Sequence, residues 1–297
     1  MEDTLLKTLT SEEGPIPGEK IIEISSISGG CIHKAWHIEL KNGQQLFAKT
    51  SPPEAFPMLK FEAECLKKLK EFANKDLLLI PEPLAIKKLK NHSILLLPWL
   101  KLNNSHQKIL GQGLAYLHKT STANNPKKFG WATDGFIGRE IQKGGWENNW
   151  GKCFANLRLL PQFQKASSWG LNSNQYKKII AELIPFLNQH QPEPSLVHGD
   201  LWIGNCAINQ NSKGVLFDPA SWWADREVDI AMTKLFGGFS DEFYQGYKEI
   251  WELPKSSGNR TNIYNLYHLI NHANMFGGSY KNQSLSLLKT ISEQLGI

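Results

Sequence analysis

Three side chains in the stretch from Val197 to Trp223, "VHGDLWIGNCAINQNSKGVLFDPASWW", have the types and spacing that phosphoryl transfer needs. Asp200 and Asn205 stand five residues apart, and Asp218 follows the apolar run "GVLF". An unpaired buried carboxylate is costly, so acids beside runs that read as buried strands require a partner or a ligand. One carboxylate that takes the proton of an attacking hydroxyl, with an amide oxygen and a second carboxylate holding Mg2+ on the phosphates, meets that requirement. A single Asp is as well explained by a turn. The three together are read as a catalytic base, Asp200, and two metal ligands, Asn205 and Asp218. His198 is read as bracing this loop through backbone hydrogen bonds rather than as a base in its own right.

Lys49 ends an apolar strand, where an ammonium needs a counter-charge. Glu64 on the following amphipathic stretch is the expected partner, with Glu62 as a rival on another face. "SISGGCIHK" offers Gly29 and Gly30, a pair that permits a tight backbone able to cradle phosphate, and equally a plain hairpin turn. Cys31 follows directly, where backbone N–H dipoles would favour a thiolate and make it a candidate redox switch. "LLLPWL" fits a strip against which adenine lies, with Pro98 C=O and Leu100 N–H on either side of Trp99. The same residues fit a buried strand that ends at Pro98.

These side chains must be carried by definite elements. "IIEISSI", "KAWHIEL" and "QQLFAKT" read as strands, the last two joined by an Asn-Gly turn. "EAFPMLKFEAECLKKLKEF" has helical spacing, and "LLLIPEPLAI" and "SILLLPWL" read as further strands. Beyond residue 100 helices are predicted over 105–120, 147–160, 173–190, 240–252 and 260–275, interrupted by a strand pair near 206–218. The implied class is α+β with two lobes: residues 1–100 a small antiparallel sheet plus one helix, residues 101–297 mainly helical, and the ligand cleft between them.

Bulk properties exclude several alternatives. The chain has 297 residues, a net charge of +5 and 41% hydrophobic residues. Its lysines are scattered, which argues against a nucleic-acid footprint. No apolar run is long enough for a membrane span, and the acidic start "MEDTLLKTLTSEEG" is unlike a secretory signal. Cys31, Cys65, Cys153 and Cys206 have no CxxC spacing, so neither a zinc site nor a disulfide scaffold is expected. A cytoplasmic protein with reduced thiols, monomeric or homodimeric, is the expectation.

The sequence resembles the fructosamine kinase (ketosamine-3-kinase) family, a branch of the aminoglycoside phosphotransferase/choline-kinase-like form of the protein-kinase fold. The resemblance rests on "HGDLWIGN" (198–205), "FDPASWWADREVDIAMTKLFGGF" (217–239), "FAKT", "KFEAE", "NNWGKCFANLRLLPQ" and "NLYHLINHANMFGGSY", and spans essentially the whole chain. It implies ATP and Mg2+ as cofactors, Asp200 as base, Asn205 and Asp218 as magnesium ligands, and Lys49 with Glu64 as the phosphate clamp. Asp229 is implied to anchor the catalytic loop. The implied reaction phosphorylates O3 of free or protein-bound ketosamines, after which the adduct breaks down and the amine is regenerated. Pro98 and Asn149 stand where the family usually has acids. Trp202, Trp222 and Trp223 beside the base suit stacking on sugar C–H faces, although each also fits a core position. Trp146, Trp150 and Phe154 follow helical spacing and read as packing. The competing functions are an aminoglycoside- or choline-type kinase, and a nucleotide-binding protein without transfer activity.

Overall fold

The computed structural model describes residues 2–28, 32–103 and 106–297. Gly29, Gly30 and Cys31, the expected phosphate loop and redox thiol, lie outside the described residues.

The chain opens with helix α1 (Glu2–Thr10), then strands β1 (Ile21–Ile27), β2 (Lys34–Leu40) and β3 (Gln45–Ser51), helix α2 (Phe56–Phe72), and strands β4 (Leu78–Leu79), β5 (Ala85–Lys88) and β6 (Ser93–Pro98). Five of these strands form an antiparallel sheet in the order β1-β2-β3-β6-β5. The expected β2–β3 turn is present: Gly43 has φ +82° and its N–H donates to Leu40 C=O at 2.9 Å. Alternation along the strands sends Trp36, Ile38, Leu46, Ala48 and Ile94 to one face, which α1 covers with Leu5 and Leu9. The other face, with Phe47, Leu95 and Leu97, lies under Leu59, Ala63 and Leu66 of α2. Helix α1 was not expected, because its two inward leucines one turn apart give too little periodicity to read.

The second part runs β7 (Leu102–Asn103), α3 (Lys108–Ala123), β8 (Phe129–Trp131), β9 (Gly135–Ile137), β10 (Glu140–Gln142), β11 (Gly145–Glu147), α4 (Trp150–Lys152), a π-helical segment Cys153–Leu159, α5 (Leu160–Ala166) and α6 (Ser173–Asn188). It continues with β12 (Ser195–Val197), β13 (Cys206–Asn209), β14 (Gly214–Leu216), β15 (Trp222–Ala224), α7 (Glu227–Leu235), α8 (Asp241–Trp251), α9 (Gly258–Phe276) and α10 (Ser279–Leu295). All five predicted helices have a counterpart; α7 and α10 are additional. The helix expected from residue 147 begins only at Trp150, and Trp146 lies on β11.

The run 77–86, expected as one strand, divides. Pro81 and Pro83 supply no amide donors and break the ladder. Thus β5 joins the five-stranded sheet while β4 pairs in parallel with β14, in a sheet of order β4-β14-β13-β7. A third sheet, β11-β8-β15-β12, lies beside the catalytic segment. Leu59 and Leu66 of α2 share one apolar core with Leu110 and Leu114 of α3 and with Leu196, Leu201 and Leu216 around the Asp200 loop. The side chains of the sheet half are therefore referenced to the same core as those of the helical half. Among the described residues no helix is long and apolar enough to cross a membrane.

Candidate active site

A cleft of about 1210 Å3 lies between the five-stranded sheet and the helical part, and Lys49, Glu62, Asp200, Asn205 and Asp218 all line it. The Asp200 loop leaves β12 through Gly199, whose φ is +84°. A Cβ there would stand 2.1 Å from Ala220 C=O, so only glycine permits this approach. Asp229 of α7 holds the loop from beneath: its carboxylate accepts from His198 N–H at 2.7 Å, Gly199 N–H at 2.9 Å and His118 Nε2 at 3.1 Å. Arg226 can only donate, and it does so to Tyr247 Oη at 3.1 Å. The Tyr247 O–H is then available to His118 Nδ1 at 2.9 Å, which leaves Nε2–H for Asp229. Burial opposes ionisation of Asp229, but the hydrogen bond from His118, with that from the Gly199 amide, outweighs it and holds the carboxyl below its ordinary range. Asp229 thus lies beneath the loop and His198 within it. His198 is fully buried, its Nε2 meets Phe217 C=O at 2.9 Å, and burial lowers its pKa.

The same backbone lattice sets the other two polar groups. Phe217 N–H donates to Asn205 C=O at 3.1 Å and Ala220 N–H to His198 C=O at 2.9 Å. Between them Asp218 takes the left-handed region, φ +56°, which Asp tolerates better than most residues. Asn205 Nδ2 donates to Asp200 C=O at 2.8 Å and to Asp200 Oδ2 at 3.2 Å. The nitrogen being committed, the amide oxygen is what Asn205 can offer to a cation. Asp218 leaves 43% of its side chain accessible. A carboxylate and an amide oxygen on one wall are hard donors of the kind Mg2+ takes, so the residues present fit that ion. A second group of ligating side chains, His190, Asp225 and Glu227, suits it less. Both Glu227 oxygens are held by Arg260, at 2.8 and 2.7 Å, and Asp225 Oδ2 accepts from Tyr264 at 2.7 Å.

Lys49 corrects one expectation. Its Nζ lies 2.8 Å from Glu62 Oε1, and it also pairs with Asp218. Glu64 is not the partner: it is 47% exposed and faces Lys60 one turn back at 3.7 Å. Two residues along a helix turn the side chain by about 200°, so Glu62 and Glu64 occupy opposite faces. The inward face is the one with Leu59, Ala63 and Leu66. Burial opposes the charge on Lys49, yet Asp218 and Glu62 more than offset it and raise its pKa. Burial raises Glu62 to about 7. Burial likewise opposes ionisation of Asp218, but the Lys49 charge and hydrogen bond prevail and keep it low. Asp200 is pushed up to about 7, first by burial and then by the neighbouring Asp218 charge.

Pro98, Trp99 and Leu100 also line the cleft. Trp99 N–H is taken by Gln45 C=O at 3.2 Å, and among the described residues no backbone carbonyl takes the Leu100 N–H. Of the three tryptophans expected near the acceptor, only Trp202, 39% exposed, reaches the cleft. Trp222 and Trp223 do not. Adjacent on β15, they point to opposite faces of its sheet and enter two different cores. Trp222 stacks on Trp150 at 5.6 Å with the Arg158 guanidinium 3.8 Å from its ring, and Trp223 meets the edge of Phe72 at 5.8 Å. Trp150 and Phe154 pack as expected, rings 5.6 Å apart, whereas Trp146 is exposed. Asn149, one of the departures from the family pattern, caps α4 by accepting from Lys152 N–H at 2.9 Å. Cys65, Cys153 and Cys206 are buried, and burial raises all three thiols, Cys153 and Cys206 to about 12.

Sequence reasoning missed the far wall. Phe236, Asn271, His272, Phe276 and Tyr280 line the cleft, with His272 in ring contact with Phe236 at 5.1 Å and with Tyr280 at 5.2 Å. For the last four the signal was the cluster of amides and aromatics in "NHANMFGGSY", and Phe236 belongs to the run 217–239.

The fructosamine kinase family pattern matches residues 5–294. A Synechocystis protein named "probable ketoamine kinase" is 38% identical over 273 residues, covering 91% of this chain and 90% of its own length. The crystal structure of a Haemophilus somnus 129PT protein assigned as a fructosamine-3-kinase superposes with a TM-score of 0.84 at 29% identity, covering 96% of each chain. An amicoumacin kinase in complex with AMP-PNP, Ca2+ and its ligand shares the fold at 14% identity, with a TM-score of 0.55, covering 99% of this chain and 93% of its own. The chain therefore belongs to the fructosamine kinase family, phosphotransferases whose acceptor is a hydroxyl group.

Proposed function

We propose that this protein transfers the γ-phosphoryl group of Mg2+-ATP to the O3 hydroxyl of a ketosamine, in a deglycation reaction that returns the amine. The observation that carries this reading is that Asp200, hydrogen-bonded through Asn205, shares one cleft with Lys49, Glu62 and Asp218. Asp200 accepts the proton of the acceptor hydroxyl; a carboxyl near 7 is matched to that task at neutral pH. Asn205 Nδ2 orients the Asp200 carboxylate, while Asn205 Oδ1 and Asp218 would hold the cation. Mg2+ supplies charge neutralisation on the phosphates. Lys49, set by Glu62, is placed for the α- and β-phosphates, and Pro98–Leu100, which line the same cleft, for the adenine. On this reading residues 1–100 carry the nucleotide and 101–297 the acceptor, with Trp202 against the sugar.

Among the described residues the only carboxylates lining the cleft are Glu62, Asp200 and Asp218. All three are engaged in the transfer machinery, which disfavours a polycationic aminoglycoside as acceptor. The test is ATP consumption with a fructosyl-lysine analogue, a ribulosamine, choline and an aminoglycoside in parallel, with phosphorus NMR of the product. Phosphorylation of the sugar O3 of the ketosamines is expected; turnover confined to choline or the aminoglycoside would refute the assignment.

A further inference from the structure

The acceptor wall carries one polar side chain whose direction is set by a chain of hydrogen bonds. Helix α9 presents Asn271 to the cleft, although the residue is only 1% exposed. Its Oδ1 accepts from Gln162 Nε2 at 3.2 Å. Gln162 Oε1 accepts from Asn274 Nδ2 at 2.7 Å, and Asn274 Oδ1 accepts from the Trp169 indole at 2.7 Å.

An isolated amide can turn over and exchange its oxygen for its NH2. This series cannot, because Asn274 is held by two groups that have no choice. An indole N–H only donates, so Asn274 must give it the oxygen. The backbone carbonyl of Gln162 only accepts, and Asn274 Nδ2 lies 3.1 Å from it. Gln162 must then turn its oxygen to Asn274 and its NH2 to Asn271, and Asn271 must turn its oxygen to Gln162. What Asn271 has left is Nδ2, which has no partner among the described residues. Asn271 lines the cleft, so this N–H is open to an acceptor that a bound ligand brings there.

We propose that Asn271 is a specificity-determining residue that donates from Nδ2 to a sugar oxygen of the ketosamine. The proposal rests on the ketosamine reading above and adds the polarity of the far wall. A hydroxyl or carbonyl oxygen has the lone pair this donor needs, whereas an ammonium group has none. Trp169 acts through Asn274 and Gln162 and is a positioning residue.

The experiment is a cycle between protein and substrate. The quantity measured is kcat/KM for a fructosamine and for deoxy analogues that each lack one oxygen other than O3, with wild type, Asn271→Ala and Asn271→Asp. In wild type one analogue should lose about tenfold. In Asn271→Ala the parent should fall to the level of that analogue, and removing the same oxygen should then cost less than about twofold. Asn271→Asp keeps an acceptor for Gln162 but turns an acceptor to the cleft, and should fall below Asn271→Ala. Trp169→Phe, remote from the substrate, releases the amide series; it should raise KM about threefold with kcat unchanged and shrink the same analogue's penalty. It carries the test if Asn271→Ala does not fold. Identical analogue penalties in wild type and in the folded variants would overturn the proposal. A wild type that phosphorylates another acceptor but no ketosamine would sink the underlying reading instead, so the two failures are distinguishable.

Discussion

The two walls of the cleft are built from different chemistry. On one, Lys49, Glu62, Asp200 and Asp218 form a set of ions whose protonation and position depend on one another. On the other, Asn271, His272, Phe236, Phe276 and Tyr280 offer an oriented amide and a group of rings, with no carboxylate. Charges suit a wall that handles phosphate, where each ion changes the energy of transfer directly. A neutral wall suits an acceptor that must be positioned without competing for the phosphoryl group. Substitutions on the first wall should act mainly on kcat, and those on the second mainly on KM.

The largest effect should come from Asp200. Asp200→Ala removes the proton acceptor and should lower kcat by about a thousandfold or more. Nucleotide affinity, measured by titration calorimetry, should stay within about threefold of wild type, since the acid faces the acceptor. A near-normal kcat would remove Asp200 from the mechanism.

Asp229 supports the first wall without lining it. Asp229→Asn withdraws a buried charge that accepts from two loop amides and His118, and should destabilise the fold by about 3 kcal/mol in urea unfolding. The sign of the pH dependence follows from the depressed carboxyl. Its contribution is fully present above the unfolded value near 4, and is lost as the pH falls through the lower folded value. The acid limb of the wild-type stability curve should therefore be steeper than that of Asp229→Asn; parallel limbs would show that Asp229 is not the group responsible.

A smaller effect separates two acids on one helix. Glu62→Gln removes the counter-charge of Lys49, leaving an ammonium-to-amide contact in place of an ion pair, and should lower kcat/KM about tenfold. Glu64→Gln should change it by less than about twofold, since Glu64 meets only an exposed lysine. The reverse ranking would undo the pairing.

That pair shows what was legible in the sequence. The ionic wall could be read because phosphoryl transfer restricts residue types and spacing, so Asp200, Asn205, Asp218 and Lys49 stand out even in a single chain. Choosing between Glu62 and Glu64 required the phase of α2, which depends on where Leu59 and Leu66 dock. The aromatic residues were harder. Trp222 and Trp223 sit next to the motif yet enter opposite cores, because sequence proximity does not specify which face of β15 meets the cleft. The split of 77–86 into two sheets turned on long-range pairing of β4 with β14, which no local pattern announces. The far wall was hidden because amides and aromatics at helical spacing look like any buried helix face.

The smallest expected effect lies on that far wall. Phe276 is 52% exposed, and its ring stands 5.7 Å from His272 and 6.4 Å from Tyr280. Its neighbours remain in contact with each other when it is removed, so Phe276→Ala should leave the wall standing and the fold stable to within about 0.5 kcal/mol. What it takes away is one ring face available to the apolar C–H surface of the acceptor. Stacking of this kind contributes about 0.5–1.5 kcal/mol, and the same face is offered to ground state and transition state. KM for the ketosamine should accordingly rise about threefold while kcat and the KM for ATP do not move. A fall in kcat would mean that the rings help to align the reacting hydroxyl, and the division of labour between the two walls would have to be redrawn.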